Sequence, residues 1–213
     1  MPNSNLKGTL TLILGGVRSG KSRFGQELAH QLGGDNVLFV ATAESRDAEM
    51  ARRIDTHRQS RSIAWQTLER PLRTGIAIAA FEAIQPVVLV DCLTLLVSNV
   101  LLANHSESNS LDGIAVIENR MHAEVDDLIR VAENNETHLI VVSGEVGMGL
   151  VPDTALGRLF RDMLGWSNQR IAARATSTYF MVAGLPINAS SLACSVQTAA
   201  QELRSNRESG MIN

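Results

Sequence analysis

Only two cysteines, Cys92 and Cys194, occur in this chain of 213 residues. Two thiols so far apart in sequence supply neither a disulfide framework nor a zinc site. Cys92 follows an apolar run and reads as a small buried hydrophobe. Long apolar runs are missing too: none approaches the roughly 18 residues of a membrane span. The opening residues, Met1-Pro2-Asn3-Ser4-Asn5-Leu6-Lys7, lack the apolar core of a signal peptide, so the expectation is a cytoplasmic protein. Basic charge is not in excess. A formal net charge of −3 and a pI near 6.0 argue against a nucleic-acid binder. Internal repeats and linkers are absent as well, and the length fits one domain over 1–190, with a peripheral helix and tail over 191–213.

What is present is an alternation of strand and helix patterns, the signature of a parallel sheet flanked by helices. Short apolar runs at 10–14, 36–42, 86–91, 138–142 and 179–182 read as buried strands, and 65–68 as a further short one. Helical patterns cover 21–29, 47–58, 71–83, 93–102 and 154–174. The clearest is 111–133, where Ile114, Ile117, Met121, Val125, Leu128 and Ala132 recur at spacings of three and four. Gly184 and Pro186 are expected to end the core pattern.

The chemistry starts at Gly15-Gly16-Val17-Arg18-Ser19-Gly20-Lys21-Ser22. This is the P-loop pattern G-x-x-x-x-G-K-[ST], with a strand before it and a helix after it. Glycines let the backbone curl so that successive N–H groups face a phosphate, and the helix starting at Lys21 adds its positive end. The Lys21 ammonium can reach the β- and γ-phosphates, and the Ser22 hydroxyl can ligate Mg²⁺. Asp91 closes a strong apolar run, where ligands bind in open α/β sheets, and is the expected second Mg²⁺ residue.

His57 lies in a segment crowded by Arg46, Arg52, Arg53, Arg58 and Arg61. Guanidinium neighbours suppress protonation of an imidazole, and the neutral ring is the nucleophilic form. Spacing alone leaves it open whether His57 is a nucleophile toward phosphorus or a semi-buried structural histidine. His30, His105, His122 and His138 have no such company. Glu44 and Glu69 follow strand-like runs and can bind a ribose or base, or cap a helix. Arg158, Arg161, Arg170 and Arg174 share one helix and can contact phosphates or simply face water. The Gly-rich loop 143–153 follows a strand and can move over a substrate. No N-K-x-D segment of a Ras-type GTPase is present, which favours a small-molecule phosphotransferase.

Taken together these segments resemble one family, the bifunctional adenosylcobinamide kinase / adenosylcobinamide-phosphate guanylyltransferases of cobalamin biosynthesis. The resemblance rests on the P-loop with Arg23, on Ala41-Thr42-Ala43-Glu44, on 47–58 with its M-x-x-R-I-x-x-H core, and on Asp91-Cys92-Leu93-Thr94. It continues through Glu145-Val146-Gly147-Met148-Gly149-Leu150-Val151-Pro152 and Asn168-Gln169-Arg170-Ile171-Ala172, in family order from about 10 to 187. It implies a RecA-like P-loop fold, a homo-oligomer, and two activities. One is phosphorylation of adenosylcobinamide by ATP or GTP. The other is transfer of GMP from GTP, by way of an enzyme histidine, to adenosylcobinamide phosphate. The guanylylated histidine falls on His57, with Lys21 as the other catalytic residue. The resemblance places GTP on the P-loop, on Thr42, Ala43 and Glu44, on Arg58, Gln59, Ser60 and Arg61, and on Glu69 and Asp91, with Mg²⁺ at Ser22 and Asp91. One departure is Gly144, where family members often carry Asn. A kinase-only homologue and a nucleotide-dependent switch are the alternatives.

Overall fold

The computed structural model describes residues 8–44, 52, 62–82, 85–104, 110–134 and 136–209. His57, Arg46, Arg53 and the stretch Arg58, Gln59, Ser60 and Arg61 lie outside the described residues, as does His105; of the arginine-rich segment only the exposed Arg52 is described.

Seven strands make one sheet: β1 (Thr9–Gly15), β2 (Val37–Ala41), β3 (Gln66–Glu69), β4 (Val87–Asp91), β5 (His138–Gly144), β6 (Ser177–Val182) and β7 (Leu185–Asn188). Their order is β3-β2-β4-β5-β1-β6-β7, and every pairing is parallel except β6 with β7. Parallel strands covered on both faces need apolar side chains on both, which is why Val87, Val88, Leu89 and Val90 form an unbroken run, each 3% exposed or less.

The described helices are α1 (Lys21–Gly33), α2 (Thr74–Ala79), α3 (Leu93–Ala103), α4 (Leu111–Asn134), α5 (Ala155–Ala172), α6 (Ala189–Leu192) and α7 (Val196–Ser209). The sheet splits the core in two. One face carries Ile13, Leu89, Ile140 and Val142 against α1 through Ala29, Phe24 and Leu28. The other carries Leu12, Val90, Leu139 and Val141 against α3, α4 and α5. The stripe expected on α4 is the buried one: Ile117, Met121, Val125 and Leu128 are fully enclosed.

Three readings change. The helix expected over 71–83 is only Thr74–Ala79. Arg73 has φ 54, left-handed, so the helix cannot run back toward Pro71. Its first N–H groups are taken instead by Glu124 of α4, whose carboxylate accepts from the backbone of Arg73 and Thr74. Burial pushes that carboxyl above its ordinary value, and those two N–H groups oppose the shift. The second change is at the end of the sheet, where Pro186 continues the pattern rather than ending it. Ala183 and Gly184, at φ 50 and 84, form a two-residue turn with both angles positive, the turn that joins hairpin strands without splaying them. Pro186 sits in the resulting edge strand, where proline is tolerated. Beyond it the chain forms α6 and α7 rather than one short helix.

Gly75 marks the tightest helix contact. A Cβ there would lie 2.4 Å from the carbonyl carbon of Asp127 and 2.6 Å from the Leu128 nitrogen, both backbone atoms of α4. Backbone cannot step aside as a side-chain tip can. Gly75→Ala is expected to lower the unfolding free energy by about 1–3 kcal/mol, the range for overpacking, measured by urea denaturation.

Candidate active site at the carboxyl edge of the sheet

The parallel register sets the site. Ile13, Val142, Asp91, Ala41 and Glu69 stand in one row across β1, β5, β4, β2 and β3. The loops leaving these strands therefore all open on one edge. β1 and β4 are not neighbours, because β5 lies between them. This is the RecA-like arrangement, in which a third strand separates the P-loop strand from the acidic one.

The P-loop leaves β1 at Gly15 and enters α1 at Lys21. Gly20 takes φ 92 at the helix start, which only glycine adopts without strain, and Arg18 is also left-handed at φ 57. The Lys21 ammonium donates to the Gly16 carbonyl oxygen at 3.0 Å, so it lies across the loop. Ser19 N–H donates to the same carbonyl at 3.2 Å. Two distant segments brace the loop: Gly184 N–H donates to the Ser19 carbonyl, and Glu145 N–H to that of Gly15, each at 3.0 Å. Val17 and Arg18 stay exposed at the tip.

Ser22 and Asp91, expected to share a cation, are brought together. The Ser22 hydroxyl donates to the Asp91 carboxylate at 3.4 Å, across the end of the intervening strand. Among the described residues no group of three or more His, Cys, Asp or Glu forms a metal cluster. One carboxylate and one hydroxyl suit a cation that takes its other ligands from phosphate and water, which is how Mg²⁺ is commonly held.

Thr42 is fully buried and works as a clamp rather than an exposed contact. Its hydroxyl donates to the Cys92 carbonyl at 2.7 Å and accepts from the Cys92 N–H at 2.9 Å. Its own carbonyl accepts from Asn99 at 2.7 Å, and the same amide reaches the Pro71 carbonyl at 3.1 Å. The effect is to tie the exit of β2 to that of β4. Ala43 and Glu44 follow, half-buried, and Glu69 is exposed at the end of edge strand β3. Four strand spacings separate β3 from β1, roughly 19 Å. Glu69 is therefore far from the P-loop along the same edge.

The carboxyl end of β5 is held by residues that sequence reasoning did not single out. Thr94 Oγ1 accepts from the Gly144 N–H at 2.6 Å. Asn168 Nδ2 donates to the Gly144 carbonyl at 3.0 Å, and its Oδ1 accepts from the Ser143 hydroxyl at 2.6 Å. A Cβ on Gly144 would meet the Thr94 hydroxyl at 2.9 Å, so the departure to glycine is what lets Thr94 sit this close. Each partner lies tens of residues away, and its only signal was membership of the family segments.

The arginines of α5 separate into distinct roles. Arg158 donates to the Pro152 and Asp153 carbonyls and closes the Gly-rich loop. Arg170 and Arg174 pair with Asp126 and Glu133 of α4 on the surface. Arg161 does neither. The remaining described histidines serve packing: His122 stacks on Trp166, His30 lies near Trp65, and His138 shares a hydrogen bond with Thr9.

Burial, helped by the adjacent Asp91 carboxylate, pushes the Cys92 thiol up to about 11. It is a neutral thiol at physiological pH and no nucleophile. Iodoacetamide at pH 8 should modify the exposed Cys194 at least roughly 100-fold faster than Cys92, read by peptide mass spectrometry.

Comparison with known proteins gives the same direction. Residues 11–189 match the family described as cobinamide kinase / cobinamide phosphate guanyltransferase. The bifunctional adenosylcobalamin biosynthesis protein CobP of Pseudomonas aeruginosa is 39% identical over 176 residues, 83% of this chain and 94% of that protein. The bifunctional adenosylcobalamin biosynthesis proteins CobU of Escherichia coli and Salmonella typhimurium are each 36% identical over 181 residues, 84% of this chain and 98% of theirs. With its P-loop, its acidic strand end and this extent of likeness, the chain belongs to the cobinamide kinase / cobinamide phosphate guanyltransferase family.

Proposed function

We propose that the protein phosphorylates adenosylcobinamide with ATP or GTP, then transfers GMP from GTP to adenosylcobinamide phosphate through a guanylyl group carried on His57, giving adenosylcobinamide-GDP. Family membership supports both half-reactions. The observation that carries the reading is the Ser22 hydroxyl meeting the Asp91 carboxylate at 3.4 Å beside the curled P-loop. A single triphosphate subsite built this way serves transfer from either the γ- or the α-phosphorus.

In this reading the P-loop N–H groups from Gly16 to Ser22 and the Lys21 ammonium hold phosphate oxygens. Ser22 and Asp91 would hold Mg²⁺, which neutralises phosphate charge when bound. Thr42 keeps the β2 and β4 exits at a fixed separation, so that Ala43, Glu44 and Glu69 line the path toward ribose and base. Arg58, Gln59, Ser60 and Arg61 are assigned to the nucleotide by the family pattern. His57 is assigned as nucleophile on the same ground. Attack by its imidazole nitrogen on the α-phosphorus forms a P–N bond and releases pyrophosphate. A phosphate oxygen of the acceptor then forms a new P–O bond, and the P–N electron pair returns to the ring. Two in-line displacements replace one. A cytoplasmic location and a homo-oligomeric assembly belong to the same proposal; among the described residues no helix is long and apolar enough to cross a membrane.

GTP labelled at the α-phosphate is the test. The wild-type chain should acquire an acid-labile, alkali-stable label. His57→Ala should lose it and lower guanylyl transfer by at least roughly 10³-fold, while keeping the kinase step. An unlabelled wild-type chain with intact kinase activity would instead indicate a kinase-only enzyme.

A further inference from the structure

Arg161 is the one α5 arginine without a structural task among the described residues. Its Nη1 is buried and has no hydrogen-bond partner, whereas Arg158 is held by two carbonyls and Arg170 and Arg174 by carboxylates. Desolvating a guanidinium nitrogen without an acceptor is costly. Among the described residues it is the one cationic nitrogen buried without an acceptor, which points to an anion supplied from outside.

The helix geometry says where that anion would lie. Asn168 holds the last residues of β5, so it fixes the level of the sheet's carboxyl edge on α5. α5 descends from that edge toward the start of β6, and Thr176 N–H reaches the Leu10 carbonyl near the beginning of β1. Arg161 is seven residues before Asn168, two helical turns, hence on the same face and roughly 10 Å farther out along the axis. It overhangs the edge on which the P-loop opens. α1, which carries Lys21, packs on the opposite face of the sheet. Arg161 and Lys21 therefore approach the crevice from opposite sides.

In-line displacement places the leaving group and the incoming group on opposite sides of phosphorus. In the kinase step the nucleoside diphosphate leaves on the P-loop side, so the corrinoid enters from the Arg161 side, and there it is still a neutral hydroxyl. In the guanylyl transfer it is a phosphate monoester, a dianion that a guanidinium recognises with two parallel hydrogen bonds. We propose that Arg161 binds the phosphate monoester of the acceptor in the second half-reaction and so distinguishes phosphorylated from unphosphorylated corrinoid. The proposal rests on the bifunctional reading above.

The experiment uses Arg161→Gln and Arg161→Lys. With preformed guanylyl enzyme, R161Q should raise the KM for adenosylcobinamide phosphate roughly 30-fold, as loss of a charge-assisted contact does. R161K should recover part of it. Formation of the guanylyl enzyme and the kinase step should stay within about twofold of wild type, and stability to urea should not fall, because a guanidinium with a buried, unpartnered nitrogen has been removed. An unchanged acceptor KM overturns the proposal. So does an equal loss of guanylyl-enzyme formation, which would put Arg161 on the nucleotide, or a fall in stability with uniform loss of activity. Titration of the nucleotide-loaded protein with inorganic phosphate decides the matter even if wild type forms no guanylyl enzyme: binding lost in R161Q supports the site, and binding unchanged refutes it.

Discussion

The contact between Ser22 and Asp91 depends on the register of three parallel strands. β1 and β4 each pair with β5, one on either side, and the shared partner sets their ends level. A slip of one residue would turn each side chain to the other face of the sheet. Both cores would be lost, and with them the alignment of hydroxyl and carboxylate. The apolar run of β5, buried on both faces, therefore stabilises the fold and positions the site in one stroke.

The loops on this edge are fixed to one another as well as to the strands. Thr42 spans the exits of β2 and β4, Thr94 and Asn168 hold the end of β5, and the β6–β7 turn supports the P-loop through Gly184. The side-chain bonds among these are buried or partly buried, where a missing partner costs about 1–3 kcal/mol. They leave the tip of the P-loop and the Gly-rich loop at 147–151 open to solvent. The rigid part of the site is its floor; the exposed parts are those that would meet substrates.

The local features were legible in the sequence. G-x-x-x-x-G-K-S between an apolar run and a helix specifies a P-loop by spacing alone, and a continuous apolar run ending in Asp91 marks a doubly covered strand with a carboxylate at its ligand edge. The short α2 was not legible, because its start is decided by Glu124, fifty residues later in the chain. The hairpin ending in β7 was missed for a different reason: Pro186 is a breaker in a central strand and harmless at an edge, and only the turn angles of Ala183 and Gly184 distinguish the two. Four arginines on α5 looked alike in sequence. Their surroundings separate a loop brace, two surface ion pairs and one half-buried arginine with an unpartnered nitrogen.

The central claim is that Ser22 and Asp91 complete one cation-dependent nucleotide site across β5. Calorimetric titration of GTP, with Mg²⁺ and with the metal chelated, tests it most directly in wild type and Asp91→Asn. The account predicts equal affinities for the two proteins without metal, and a gain on adding Mg²⁺ that only wild type shows. A full Mg²⁺-dependent gain in Asp91→Asn would contradict it.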